Sequence, residues 1–285
     1  MDAEMEKKII REYCNNGDSC DSYRFLGIEK CYLNTELTTL LQQADTLKQR
    51  LQAVRPLDVD ALAKIKAAFE IEYTFESNRI EGNTLTLQET ALVVSEGVTI
   101  GGKSMREHLE AINHAQAIDF IKEVASNDIE IAERIIKEIH AIILHGINRE
   151  QAGRYRNVPV MIVGSRHTPP QPYLIESQME QFIIGYRTME TDGTHPIIIA
   201  AYLHDELVKI HPFIDGNGRT SRLLMNLYLL SKGYAITILK GDNEAKQTYY
   251  TALEQSHTEG NREPFCLLVA NSVKLSLEKY LNIIK

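Results

Sequence analysis

Apolar residues recur at three- and four-residue steps through most of this chain, a period that commits it to amphipathic helices packed on one another. In residues 61–81 the steps are carried by Leu62, Ile65, Phe69 and Tyr73, and Gly82-Asn83 ends the run. Similar runs are read over 33–51, 104–124, 129–145, 176–189 and 196–210, with Pro56-Leu57-Asp58 breaking the first from the second. Thr86 followed by Glu89 has the form of a capping box opening another helix, which Gly97 closes. Pro196 suits a first helical turn, where a missing N–H costs nothing. Residues 155–173 depart from the period: Val158-Pro159-Val160-Met161-Ile162-Val163 is strand-like, and Thr168-Pro169-Pro170-Gln171-Pro172 excludes helix. The expected fold is therefore mostly α, a helical bundle with a short β-hairpin flap.

The 285 residues are enough for one large core, which stops growing near roughly 250–300 residues. No apolar run approaches the roughly 20 residues of a bilayer span, and Met1 to Lys8 lacks the order of a signal peptide. The expectation is a soluble cytoplasmic protein without membrane contact. A net charge of −8 argues against a nucleic-acid partner. Cys14, Cys20, Cys31 and Cys266 are irregularly spaced, form no C-x-x-C pair and read as free thiols.

The chemistry gathers in twelve residues, His211-Pro212-Phe213-Ile214-Asp215-Gly216-Asn217-Gly218-Arg219-Thr220-Ser221-Arg222. Gly216 and Gly218 let backbone N–H groups turn toward an anion at the start of a helix. Arg219 and Arg222, three residues apart in its first turns, suit a polyphosphate. Asp215 is a hard oxygen ligand for Mg²⁺ shared with phosphates. His211, with an ordinary pKa of about 6.5, is a candidate general base. The segment is neither a P-loop nor an H-E-x-x-H zinc helix.

The whole string resembles the Fic-family signature H-x-F-x-D/E-G-N-G-R-x-x-R without a departure, and the resemblance covers roughly residues 60–280. It implies a Fic-type bundle in which His211 takes a proton from a Ser, Thr or Tyr hydroxyl of a target protein. That oxygen attacks the α-phosphate of ATP, while Asp215 holds Mg²⁺ and Gly216, Asn217, Gly218, Arg219 and Arg222 hold the phosphates. Relatives that transfer the terminal phosphate carry Lys where this chain has Gly218, so AMP transfer is implied. The flap, through Val160, Met161, Ile162 and Val163, would bind target main chain by strand addition. Tyr249 and Tyr250 are candidates for the nucleotide base, although tyrosines at helical spacing also serve as core residues.

Upstream, Ser77-Asn78-Arg79-Ile80-Glu81-Gly82 resembles the family's inhibitory pattern S/T-x-x-x-E-G/N. The resemblance implies that Glu81 pairs with Arg222 and blocks the nucleotide site, with the Ser77 hydroxyl donating to Glu81. The expected layout is an N-terminal helical extension, 1–60, and a catalytic domain, 61–285, that includes the inhibitory helix at about 61–83. A homodimer is also expected. Two other readings remain open: removal of AMP through Glu81, or a regulatory Fic fold without turnover.

Overall fold

The computed structural model describes residues 35–53, 59–127 and 129–284, the side chains of 59–62 excepted. The break at Pro56-Leu57-Asp58, three of the four cysteines and most of the 1–60 extension lie outside these residues; Cys266 is buried. Ten α-helices occur among the described residues: α1 Thr35–Ala53, α2 Val59–Ile80, α3 Leu87–Glu96, α4 Met105–Ser126, α5 Glu133–Ile143, α6 Ile175–Thr191, α7 Pro196–Ile210, α8 Asn217–Ser231, α9 Asn243–Glu259 and α10 Glu263–Ile283.

The centre of the bundle is the α7–α8 pair. α7 buries Ile197, Ile198, Ile199, Ala200, Ala201 and Tyr202 in succession, so it is apolar all round and fits only the middle of a bundle. Pro196 stands in its first turn and the ring of His195 accepts from the Ile197 N–H, capping the start. Around this pair lie α4 and α5 against α8, and α6 and α10 against α7. α1 packs along α10, and its Leu37 and Ala44 enter the same core.

α2 lies across α3 and α4 and reaches α8. Its last turn is clamped from two sides. Glu76 Oε2 accepts the Gly241 N–H at 2.9 Å, with the backbones so close that a Cβ at Gly241 would stand 2.9 Å from Glu76 O. Asn78 Nδ2 donates to Glu110 O (3.3 Å), and Asn83 Nδ2 to Glu110 Oε2 (3.0 Å). Both partners of the Thr86–Glu89 capping box are present, and Gly97 adopts φ 65 as the C-cap of α3. The 129–145 helix is shorter than its periodicity: α5 starts after Ala132, whose extended backbone (φ −141, ψ 166) carries no side-chain cap.

The expected β-hairpin flap is not formed. Residues 154–171 contain no strand among the described residues. Pro159, Pro169 and Pro170 supply no N–H, and the only backbone–backbone hydrogen bond inside residues 157–170 runs from Ser165 N to Ile162 O, a local turn. Side chains hold the loop instead. Arg156 donates to Val158 O (3.0 Å) and Pro170 O (2.5 Å), while Glu254 accepts from Ser165 Oγ (2.5 Å) and Arg166 N (2.8 Å). Met161 and Val163, 89% and 99% exposed, project from its tip.

Candidate active site

α7 stops because His211 takes the left-handed conformation (φ 50, ψ 55), a backbone state that costs a residue with a Cβ roughly 1–2 kcal/mol. The surroundings hold it there. The His211 N–H donates to Leu207 O (3.0 Å), its carbonyl accepts from Arg156 Nε (2.8 Å), and Pro212 O accepts from Arg156 N (2.9 Å). His211 Nδ1 stands 3.3 Å from Val208 O. A carbonyl only accepts, so Nδ1 carries the proton and Nε2 keeps its lone pair. Burial pushes the His211 pKa down to about 4, against the upward pull of the Val208 carbonyl, and Glu81 is among the nearby charges that act on it. The ring is neutral at physiological pH, the state a general base requires.

The loop after His211 is wound around Phe213, which is fully buried and stacked on His140 with centroids 3.6 Å apart and planes 8° apart. Asn217 clasps it: Oδ1 accepts from Phe213 N (3.0 Å) and Nδ2 donates to Phe213 O (2.9 Å). The Asn217 side chain thus serves the loop, leaving backbone N–H groups as its means of reaching a ligand. His140 accepts from Gly153 N at Nδ1 and donates from Nε2 to Asp215 O, both at 3.0 Å. Burial pushes its pKa to about 4 and keeps it neutral. Gly216 (φ 78) sits so close to His140 and Ile143 that a Cβ would stand 3.4 Å from each.

Arg222, fully buried, is surrounded by acceptors: Glu81 Oε1 at 2.7 Å and Ser77 O at 2.9 Å from Nη2, Ser77 Oγ at 2.9 Å from Nε, and Tyr249 Oη at 3.4 Å from Nη1. Burial pulls the Arg222 pKa down, but Glu81 and the other partners outweigh it and hold the guanidinium firmly charged. The Ser77 hydroxyl accepts from Arg222, and the expected bond from it to Glu81 is not formed. Glu81 lies directly over the start of α8, where a Cβ on Gly218 would overlap its Oε1.

Arg219 is 2% exposed, with Nη1 3.3 Å from Glu110 Oε1 and Nη2 3.5 Å from Asp215 Oδ1. Asp215 Oδ1 also accepts the Gly216 N–H (2.6 Å), and Oδ2 accepts from Arg106 Nη2 (2.5 Å). Burial raises the Asp215 pKa, yet Arg219, the Gly216 N–H and Arg106 together bring it below the usual carboxylate value. No cluster of three or more His, Cys, Asp or Glu suited to a metal occurs among the described residues. Mg²⁺ held by one carboxylate and substrate phosphates needs none, and Asp215, 43% exposed, fits that mode.

The sequence model of the Fic/DOC family matches residues 130–229. A protein adenylyltransferase Fic of Drosophila persimilis is 33% identical over 92% of this chain and 53% of its own length, and one of Nematostella vectensis is 35% identical over 85% and 56%. A solved structure of Fic-1 from C. elegans superposes with a TM-score of 0.79 at 28% identity, covering 98% of this chain and 84% of that one. The chain belongs to the Fic/DOC family. It spans about half the length of the curated relatives it matches.

The Fic match runs from just before α5 to the end of α8, so it contains His211 to Arg222 and the exposed loop but neither Glu81 nor Tyr249 and Tyr250. Around the Fic motif, Tyr249 is 3% exposed and its hydroxyl lies between Arg222 and His204 Nε2 (3.2 Å). Tyr250 is 43% exposed, its hydroxyl donating to Ile80 O (3.3 Å). Four residues that the motif does not name complete the site: Arg106, Glu110, His140 and Arg156. Arg106 and Glu110 share a face of α4 at i,i+4, a signal the sequence carries; nothing local marks His140 or Arg156.

Proposed function

We propose that this Fic-family chain transfers AMP from ATP to a Ser, Thr or Tyr hydroxyl of a target protein and that Glu81 restrains it. The observation that carries the reading is a neutral His211 with a free Nε2 lone pair in the loop that opens onto the α8 N-terminus, beside two buried arginines. His211 Nε2 takes the target hydroxyl proton as that oxygen bonds to the α-phosphate and the α–β bridging bond breaks, releasing pyrophosphate. Backbone N–H groups at the start of α8, with Arg219 and Arg222, stabilise the phosphates. Asp215 would hold Mg²⁺, which would supply neutralisation of phosphate charge. The names of the relatives, protein adenylyltransferase Fic, support the same reaction class.

Restraint by Glu81 is supported by its 2.7 Å contact with Arg222 and by its carboxylate lying over Gly218, where an anion would meet the helix N-terminus. A side chain at 218 would collide with Glu81, so the glycine and the restraint go together. The nucleotide base is assigned to the side of Tyr250, whose ring is accessible, while Tyr249 supports Arg222. Val160 to Val163 offer main chain to an extended target segment, and the strand would form only with the target. The chain is further proposed to act in the cytoplasm; no described helix is long and apolar enough to cross a membrane. A homodimer is proposed as well; a monomeric mass in light scattering at micromolar concentration overturns that part.

Removal of AMP from a modified target is a second reading, favoured by one observation: Glu81 is close enough to act electrostatically on His211 as well as on Arg222, so it is available to orient a water. The test is incubation of wild type, Glu81→Gly and His211→Ala with Mg²⁺ and ATP labelled at the α-phosphate. Label on protein with Glu81→Gly, little with wild type and none with His211→Ala supports restrained transfer. No label with any variant, and AMP release from a pre-modified target only when Glu81 is present, supports removal. Neither activity would leave a Fic fold that regulates by binding.

A further inference from the structure

Each half of a magnesium–nucleotide complex has an internal counterpart in this site. The anion is matched by Glu81, whose carboxylate lies over Gly218 and neutralises Arg222. The cation is matched by Arg106, a residue of α4 outside the signature and 109 positions before Asp215. Its Nη2 donates to Asp215 Oδ2 (2.5 Å) and its Nε to Glu110 Oε1 (3.0 Å).

The two oxygens of Asp215 are not equivalent. Oδ1 belongs to the loop, accepting the Gly216 N–H and facing Arg219. Oδ2 is held by Arg106. The two arginines differ as well. Arg219 is 2% exposed, with a single 3.5 Å bond to Asp215 and its Nε and Nη1 without a hydrogen-bond partner, whereas the side chain of Arg106 is 56% exposed and meets a carboxylate that is 43% exposed. An ion pair that open to water contributes little, so it exchanges readily. A divalent cation on Oδ2 would face a guanidinium at contact distance, and the repulsion forbids both from holding the same oxygen.

We propose that Arg106 is a displaceable internal cation on Asp215: it neutralises the carboxylate in the nucleotide-free protein and leaves Oδ2 when a divalent cation arrives with nucleotide. The Nε bond to Glu110 is the pivot that keeps the released guanidinium beside the site. Glu110 is fit for that because its other oxygen is fixed by Asn83 (3.0 Å), and Arg219 lies 3.3 Å from the first. Restraint then acts on both charges of the substrate complex, with Glu81 competing for the arginine and Arg106 for the carboxylate. The inference rests on the reading of Asp215 as the metal-holding group.

The test measures binding, not turnover, in the full chain carrying Glu81→Gly. The dissociation constant of a fluorescent ATP analogue is measured in excess Mg²⁺ and in EDTA, and the ratio of the EDTA value to the Mg²⁺ value gives the metal's contribution. Arg106→Gln raises that ratio about two- to fivefold, the range of a half-exposed ion pair. Arg106→Lys, which keeps the charge, leaves it near the parent value, and Asp215→Asn brings it close to one. If Arg106→Gln leaves the ratio unchanged or lowers it while Asp215→Asn abolishes it, Arg106 does not compete with metal and the inference falls, with the metal carboxylate intact. If Asp215→Asn keeps the full metal effect, the metal carboxylate itself is wrong and the inference goes with it.

Discussion

The loop of residues 211–216 and the loop of residues 157–170 share Arg156, which donates to carbonyls of both, yet they are stabilised in opposite ways. The first is wound into the core: Phe213 is buried against His140, and Asn217 closes a two-bond clasp on its backbone. The second is held by side chains, Arg156 near its two ends, Glu254 at Ser165 and Arg166, and His167 through Lys209 O (2.8 Å), while Met161 and Val163 stand in water. Chemistry requires reacting groups fixed to within a fraction of an ångström, whereas a surface that receives a partner's backbone must keep its own hydrogen-bonding groups unpaired. One loop is rigid through burial and the other is available through exposure.

The contrast breaks most sharply at His211. In the Glu81→Gly protein, His211→Ala is expected to lower labelling of a target about 10²–10⁴-fold, with a change in thermal midpoint limited to the loss of the ring's burial and of its single bond to Val208 O. Comparable loss of labelling and of stability would mean the histidine is a structural cap. Acid tests the buried loop next. His140 has a pKa near 4 in the fold against about 6.5 unfolded, so between those values the unfolded chain binds more protons. This ring's contribution to stability therefore falls as pH drops from about 6.5 toward 4, by on the order of 3 kcal/mol at most, and His211, His204 and His114, whose pKa values burial also lowers, add to the fall in the same direction. Urea midpoints across pH 4–8 check the sign; a midpoint flat over that window denies the buried neutral imidazole.

Asn217→Ala removes both halves of the clasp and leaves the Phe213 N–H and C=O unpaired in the core, an expected loss of about 1–3 kcal/mol in chemical denaturation, with a matching fall in activity. Glu254→Gln is the counterpart on the exposed loop. It is expected to cost under about 1 kcal/mol and to raise KM for a protein target more than it lowers kcat, because a loop freed at one end still reaches the target. Equal stability losses for Asn217→Ala and Glu254→Gln would erase the distinction between the two loops.

Much of this was legible in the chain. The three- and four-residue period outlined α1, α2, α4, α6 and α7, and Thr86 with Glu89 marked the start of α3, since caps and amphipathic faces are local properties. The motif brought base, carboxylate, glycines and arginines together because they are neighbours along one turn and one helix start. The apolar stretch 158–163 misled for a physical reason: β-branched residues favour extended backbone, but a strand needs a ladder, and the prolines around it remove the donors while no facing segment supplies the rest. Arg156, a single arginine between loops, has no sequence pattern that announces four bonds to three carbonyl-bearing segments.

What the sequence by itself determined is therefore the inventory: helices by period and cap, and the reactive groups of residues 211–222 in their order. The tertiary structure alone decided their states. Burial sets His211 neutral and fixes its tautomer through Val208. The clamp on the end of α2 brings Glu81 to Arg222 across 141 positions, and α4 brings Arg106 to Asp215 across 109. Charge pairing and desolvation depend on distance in space, to which separation along the chain is blind.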